Sequence, residues 1–225
     1  MKVLSFGDTH FPFEDKKALS YLYKFVAKRS PDIVVHNGDL NDNYMFGKYD
    51  IDFNIIKPKD ERAFARARGQ EMWRKMGLVC EAKRYQLIGN HDIRVAKSIM
   101  RCIPTLSSEI STIRKVYYTF DGVETFKSDR DYIVFDDVVY THGWMTGCCA
   151  HKNHFKKSVV HGHSHHPDKE HDPMRKTDYK DRWEMDTGTF CDPKKAPFGY
   201  TNSTLTGWKP AIGWVVDGRP ELILL

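Results

Sequence analysis

No window of this 225-residue chain approaches the roughly 20 consecutive apolar residues that a membrane-spanning helix needs. Nothing resembles a leader peptide either: Met1-Lys2 runs straight into a short apolar stretch that stops at Gly7-Asp8. Both absences point to a soluble, cytoplasmic protein that engages no membrane. Cysteine is sparse and poorly placed for metal or redox chemistry. Its five positions, Cys80, Cys102, Cys148, Cys149 and Cys191, contain no Cys-x-x-Cys pair, which argues against a thiolate zinc site or a thioredoxin-type motif. Reduced thiols fit this pattern. The adjacent Cys148-Cys149 reads as two small side chains beside a packed loop rather than as a redox pair. No internal repeat and no low-complexity tract is present.

The length suits one α/β domain with a substantial core, spanning residues 1–225, and is short for two. Lys plus Arg number 35 against 30 for Asp plus Glu, with a sequence pI near 8.8. A mild, clustered positive excess leans toward an anionic substrate and says nothing about fold.

Hydrophobic patterning predicts a buried strand over Lys2–Gly7 and an amphipathic helix over Asp15–Arg29, with Ala18, Leu19, Leu22, Phe25 and Val26 on one face. A second apolar run covers Asp32–Gly38. A long helix is expected over Lys59–Arg84, a third strand over Arg84–Gly89, and a short helix after Asp92. Tyr132–Phe135 and Val138–Thr141 read as strands joined at Asp136-Asp137. Ser158–Gly162 and Trp183–Gly188 are further strands. Ala211–Val216 and Glu221–Leu225, bridged by Asp217-Gly218-Arg219-Pro220, form a closing hairpin.

Several apolar runs end in the same kind of cluster: Gly7-Asp8-Thr9-His10, Gly38-Asp39-Leu40-Asn41-Asp42 and Gly89-Asn90-His91-Asp92. Thr141-His142-Gly143 and His161-Gly162-His163-Ser164-His165 follow. Side chains at the carboxyl ends of neighbouring strands converge in the crevice above a sheet. Glycine permits the tight turns and the close backbone approach that such a crevice requires. Asp8 and His10 stand two apart, as do His161 and His163, so in extended chain each pair faces one side. An oxygen and nitrogen donor set without sulfur suits Mn²⁺, Fe, Zn²⁺ or Ni²⁺. More ligands are present than one ion needs, so two divalent ions are expected, spaced to clamp both oxygens of a phosphoryl displacement.

The order Asp-x-His, Gly-Asp-x-x-Asp, Gly-Asn-His-Asp, His and Gly-His-x-His resembles the calcineurin-like metallophosphoesterase superfamily. The match runs from Asp8 to His163, and Met185-Asp186-Thr187-Gly188-Thr189 resembles the strand that follows. The resemblance implies a four-layer α/β/β/α sandwich, here with a helical insertion from about Asn43 to Lys83 over the cleft. It implies one metal held by Asp8, His10, Asp39 and His163, and a second held by Asp39, Asn90, His142 and His161. Asp39 would bridge them, with a water or hydroxide completing the bridge and Mn²⁺ the favoured ion. It also implies that His91 contacts the substrate phosphate or protonates the leaving oxygen, and that Asp42 orients His91. The substrate is then a phosphate ester, read as a diester of a nucleotide or nucleic acid. A phosphomonoesterase and a non-catalytic scaffold of the same fold are the alternatives. Nothing in the sequence points to a protein partner.

The remaining histidines carry plainer readings. His36, inside an apolar strand, is expected to be a satisfied core residue. His151, His154, His165, His166 and His171 flank the last two motifs and read as loop residues, with His165 the one nearest the chemistry. Three basic clusters with aromatics support the nucleic-acid reading. They are Arg62, Arg66, Arg68, Arg74 and Lys75; Lys152, Lys156 and Lys157; and Arg175, Lys176, Lys180 and Arg182. Departures also matter: the second motif lacks a following Arg-Gly and the third has Asp92 rather than Glu, which argues against a phosphoprotein substrate. The Gly207-Trp208-Lys209-Pro210 ending looks like small phage-encoded or bacterial members.

Overall fold

The computed structural model describes residues 1–47, 51–52, 54–110, 118–145, 147, 149–171, 182–195 and 207–225. Two sheets lie face to face. The first has the order β11-β10-β1-β2-β3-β4 and the second β5-β6-β7-β9-β8. In chain order the strands are β1 (Lys2–Phe6), β2 (Ile33–His36), β3 (Lys83–Gln86), β4 (Val123–Thr125), β5 (Tyr132–Phe135) and β6 (Val138–Thr141). They continue with β7 (Ser158–His161), β8 (Asp168–His171), β9 (Trp183–Asp186), β10 (Ala211–Val216) and β11 (Arg219–Leu224). The described α-helices are α1 (Lys16–Arg29), α2 (Pro58–Val79), α3 (Arg94–Cys102) and α4 (Ala150–Phe155).

The alternation of side chains along each strand accounts for the layers. Val3, Ile33, Val35, Leu87 and Val215 point inward and meet Val138, Tyr140, Val160, Trp183 and Met185 of the second sheet. Leu4, Phe6, Val34, Ile212 and Trp214 point outward and pack beneath α1 and α2. Helix α1 supplies the five apolar residues expected of it, all buried. Asp15 caps its N-terminus by accepting the N–H groups of Lys17 and Ala18 at 2.8 and 3.1 Å. Helix α4 covers the far face of the second sheet, against β7 and β9. The architecture is the expected α/β/β/α sandwich.

Helix α2 corrects one expectation. Ala65, Met72, Trp73 and Met76 are buried in the same cluster as α1 and the first sheet, so this helix is a layer of the domain and not a flap over the cleft. It also stops at Val79 rather than Arg84, where the chain turns extended at Cys80. Two strands were not anticipated, β4 and β8, both at sheet edges. The closing hairpin is tighter than expected. Asp217 and Gly218 both have positive φ, the signature of a two-residue turn, so Arg219 and Pro220 enter β11. Pro220 faces Val215, and the alternation of an antiparallel ladder turns its missing N–H outward, where an edge strand tolerates it.

Candidate metal centre

Strands β1, β2, β3, β6 and β7 end at one side of the sandwich, and the loops that follow them carry the candidate ligands. Several of these loops leave the strands in the left-handed backbone region. Among the positive-φ residues are Asp8 (53°), His10 (45°), Asp39 (51°), His163 (76°) and His165 (64°). Non-glycine residues rarely occupy this region, and at about 1–3 kcal/mol each such strain collects at functional sites. Two glycines make the convergence possible. A Cβ on Gly162 would overlap Asp8 Oδ2, and one on Gly89 would overlap Asp39 Oδ1.

Two overlapping nests of donor atoms result. In the first, His165 Nε2 lies 3.1 Å from both Asp8 Oδ1 and His10 Nε2, and His10 Nε2 lies 3.7 Å from Asp8 Oδ1 and 3.9 Å from Asp39 Oδ2. In the second, His142 Nε2 lies 3.4 Å from Asp39 Oδ2 and 2.9 Å from Asn90 Oδ1. His163 Nδ1 lies 2.8 Å from Asn90 Oδ1 and 3.3 Å from His142 Nε2. Asp39 Oδ2 reaches both nests.

The hydrogen bonds on the far side of each ring show what these nests suit. His10 donates from Nδ1 to Asp42 Oδ1 at 2.8 Å, and His142 donates from Nδ1 to the Asn37 carbonyl at 3.2 Å. In the neutral rings each Nε2 therefore turns a lone pair into its nest. Lone pairs converging with buried carboxylates are what a divalent cation needs, and a partner fixing the opposite ring nitrogen is the usual support. Asp8, His10, Asp39, Asp42 and His142 are all essentially inaccessible. Without a cation, the charge of the carboxylates is met by protons. Burial alone would lower His10, but the hydrogen bonds it donates to Asp42 and Asp8 push it up to about 10. Burial is likewise outweighed at His142, where the Asp39 charge raises the imidazolium to about 9. Burial opposes the charge of Asp39 too, but the surrounding imidazoles, His142 first, hold it well below its ordinary range.

Most of the expected residues meet here, with one correction. His161 is not among them: its ring is turned to Glu184 Oε1, 3.1 Å from Nε2, and to its neighbour's carbonyl, Gly162 O, 2.8 Å from Nδ1. The position beside Asp8 and His10, expected for His163, is held by His165, and His163 stands where His161 was expected. The reason is local. Strand β7 ends at His161, and the chain then enters left-handed turns at His163 and His165. The frame that faces the cleft is thus Gly162-His163-Ser164-His165.

His91 stands beside the first nest. Its Nδ1 is 2.9 Å from Asp42 Oδ1, the same oxygen that accepts from His10, so Asp42 orients two rings at once. Arg94, unremarked in the sequence, places Nη2 2.7 Å from His91 Nε2 and donates from Nη1 to the Asp42 carbonyl at 3.1 Å. Asp92 is a brace: its carboxylate accepts the N–H groups of Gly89 and Asn41 at 2.9 Å and of Leu40 at 3.2 Å, tying two ligand loops together. Trp208 packs edge-on to His165, ring centroids 4.1 Å apart. Neither the reach of Arg94 back to His91 nor a carboxylate brace of this kind leaves a local sequence signal.

The plain readings fare as follows. His36 is fully buried, and its Nδ1 accepts from Gly38 N at 3.2 Å and faces Gln86 Nε2 at 3.0 Å. Burial pushes it down to about 3, so it is a neutral core histidine. His154 and His166 are exposed, whereas His151 is buried. Among the described residues several members of the basic clusters are paired or buried. Arg68 pairs with Glu14, Lys75 with Glu71 and Lys157 with Asp137, while Lys152 and Trp73 are buried. Arg175, Lys176 and Lys180 lie outside the described residues, as do Cys148 and the side chain of His171. Among the described residues Cys80, Cys102 and Cys191 are free thiols, and no helix is long and apolar enough to cross a membrane.

A cleft of about 500 Å³ opens beside His163 and runs past Ser164 and His166 to Asp168, Glu184 and Asp186.

Comparison with known proteins bears on the family and the fold. The family model for calcineurin-like phosphoesterases matches residues 1–198. The Gene 54 proteins of Mycobacterium phages D29 and L5 are each 26% identical over 243 aligned positions, covering 99% of this chain and 92% of theirs. A single mutant of Vps29 from Entamoeba histolytica shares the fold with a TM-score of 0.50 at 11% identity, covering 100% of this chain and 99% of that one. The E. coli phosphoesterase YfcE has a TM-score of 0.48 at 16% identity, covering 99% and 98%. The chain belongs to the calcineurin-like phosphoesterase family.

Proposed function

We propose that this protein is a phosphodiesterase that uses two divalent cations, one held by Asp8, His10, Asp39 and His165 and the other by Asp39, Asn90, His142 and His163. The observation that carries the reading is the reach of Asp39 Oδ2 into both nests, 3.9 Å from His10 Nε2 and 3.4 Å from His142 Nε2. Mn²⁺ is the favoured ion, and Fe, Zn²⁺ or Ni²⁺ match the same donors. When bound, such a pair supplies Lewis acidity and a strong nucleophile near neutral pH.

The protein's own groups do the rest. Asp42 fixes His91 with its Nδ1–H inward and Nε2 toward the cleft. Arg94, charged at any working pH, brings a fixed guanidinium to the same spot and suits a phosphoryl oxygen. A diester needs room for a second esterified group, and the cleft beside His163 provides it. Asp168, at the far end of that cleft, favours an arm bearing hydroxyl groups and disfavours further phosphates. With Arg68, Lys75 and Lys157 held in local ion pairs, the reading favours a nucleotide-sized diester over a polynucleotide.

The test compares bis-p-nitrophenyl phosphate with p-nitrophenyl phosphate, using metal-stripped protein with and without Mn²⁺. Mn²⁺-restored cleavage, faster on the diester and abolished in Asp39→Asn, is expected. Preference for the monoester would make the protein a phosphomonoesterase. No turnover of either compound with two metals bound would mean a selective substrate pocket, and no turnover with no metal bound would leave a binding scaffold.

A further inference from the structure

We infer that Glu184 is a positioning residue that holds the second metal nest in register from behind, an inference that rests on the ligand assignment proposed above. Glu184 lies on β9, away from every candidate ligand in sequence, and is buried. Its Oε1 is 3.1 Å from both His151 Nδ1 and His161 Nε2, and its Oε2 accepts the Lys152 N–H at 2.8 Å.

Two arms run from this carboxylate to the nest. His151 Nε2 accepts the N–H groups of Trp144 and Met145, at 3.1 and 3.2 Å, and so fixes the turn directly after His142-Gly143. His161 donates from Nδ1 to the Gly162 carbonyl at 2.8 Å, and Gly162 N in turn donates to the His142 carbonyl at 3.0 Å. The residue after Gly162 is His163. One carboxylate therefore sets the backbone on both sides of the His142–His163 pair, whose ring nitrogens stand 3.3 Å apart.

By distance alone His151, His161 and Glu184 would also accommodate a cation. The hydrogen-bond accounting speaks against one. Two N–H groups point at His151 Nε2, so that nitrogen carries the lone pair and the proton sits on Nδ1, facing Glu184. A metal ligand at Nδ1 would need the reverse tautomer. The cluster is a hydrogen-bonded brace, and partners of this kind around metal-ligating loops are worth about 10–100-fold in metal affinity.

The experiment titrates Mn²⁺ calorimetrically into metal-stripped full-length protein and its Glu184→Gln variant, with near-ultraviolet circular dichroism as the control for folding. Glutamine keeps one acceptor oxygen but turns an NH₂ toward a group that already donates. The expected result is two Mn²⁺ per wild-type chain. In the variant one ion should bind unchanged and the other, the ion of the His142–His163 nest, about 10–100-fold more weakly. His151→Ala, which severs only the arm to Trp144 and Met145, should give the same selective loss and serves if Glu184→Gln does not fold. In the Zn²⁺-loaded wild type, nitrogen-15 correlation spectra should show the His151 proton on Nδ1. Two ions bound equally well by wild type and both variants would overturn this inference alone. A third equivalent lost in Glu184→Gln would overturn it in favour of a metal site. A wild type that binds no metal would remove the ligand assignment with it.

Discussion

His165 Nε2 lies 3.1 Å from Asp8 Oδ1, joining the loop after the first strand to the loop after the seventh. The contact reassigns the last motif, and it separates two histidines that sequence spacing treats alike. His165→Ala should reduce tightly bound metal from two ions to one and lower turnover by at least about 100-fold. His161→Ala should keep two bound ions, the second weakened. Metal content after dialysis, read by atomic emission, decides between them; loss of an ion only in the His161 variant would restore the original pairing.

Gly162 and Gly89 permit carboxylates to approach the backbone where no Cβ fits. Gly162→Ala should displace Asp8, and Gly89→Ala should displace Asp39. Each is expected to cost 10–100-fold or more in metal affinity, with secondary structure intact. Wild-type affinity in both variants would mean that these loops relax freely around the added methyl.

Metal loading should depend on pH with a definite sign. His10 and His142 are raised to about 10 and about 9, so near neutrality both hold the proton that sits where a cation would bind. Loading must expel those protons, and apparent affinity should therefore rise as pH increases from about 6 to about 9. Calorimetry in buffers of different ionisation enthalpy should record proton release at pH 7. Loading without pH dependence or proton release would contradict the ligand roles of both rings.

Glu61 offers a stability test independent of metal. It is buried, and its carboxylate accepts the N–H groups of Tyr44 and Met45 at 2.5 and 3.4 Å. Burial pushes it up to about 7. A carboxyl group raised on folding favours the folded state fully below its ordinary range near 4.5, and that contribution is lost as pH climbs toward 7. Glu61→Gln should flatten the fall in Tm between about pH 5 and 7. An unchanged slope would show that Glu61 ionises as easily folded as unfolded.

Legibility in the sequence followed the range of the forces involved. Strand β1, helix α1 and the β5–β6 hairpin carry their own periodicity and turn residues, and each was readable locally. Strand β8, Asp168–His171, is polar throughout and exists because β9 pairs with it. Strand β4 has only three residues, too few for alternation to register. Helix α2 ends at Val79 within a run of charged and small residues that could equally continue it. The ligand motifs were readable because each follows a strand and carries a glycine. The frame of the last motif is readable too, because Gly-His-x-His fits only Gly162-His163-Ser164-His165; the expected pair His161–His163 stands two residues early. Arg94 and Glu184 act across the fold, and only their buried contacts reveal them.

Pro220 sits in the outermost strand of the first sheet with no N–H to offer, flanked by the exposed charges of Arg219 and Glu221. An incoming strand from another molecule would meet a missing donor and two solvated charges near the hairpin turn. Close to the start of the last strand, this one residue thus also makes β11 a poor template for strand addition.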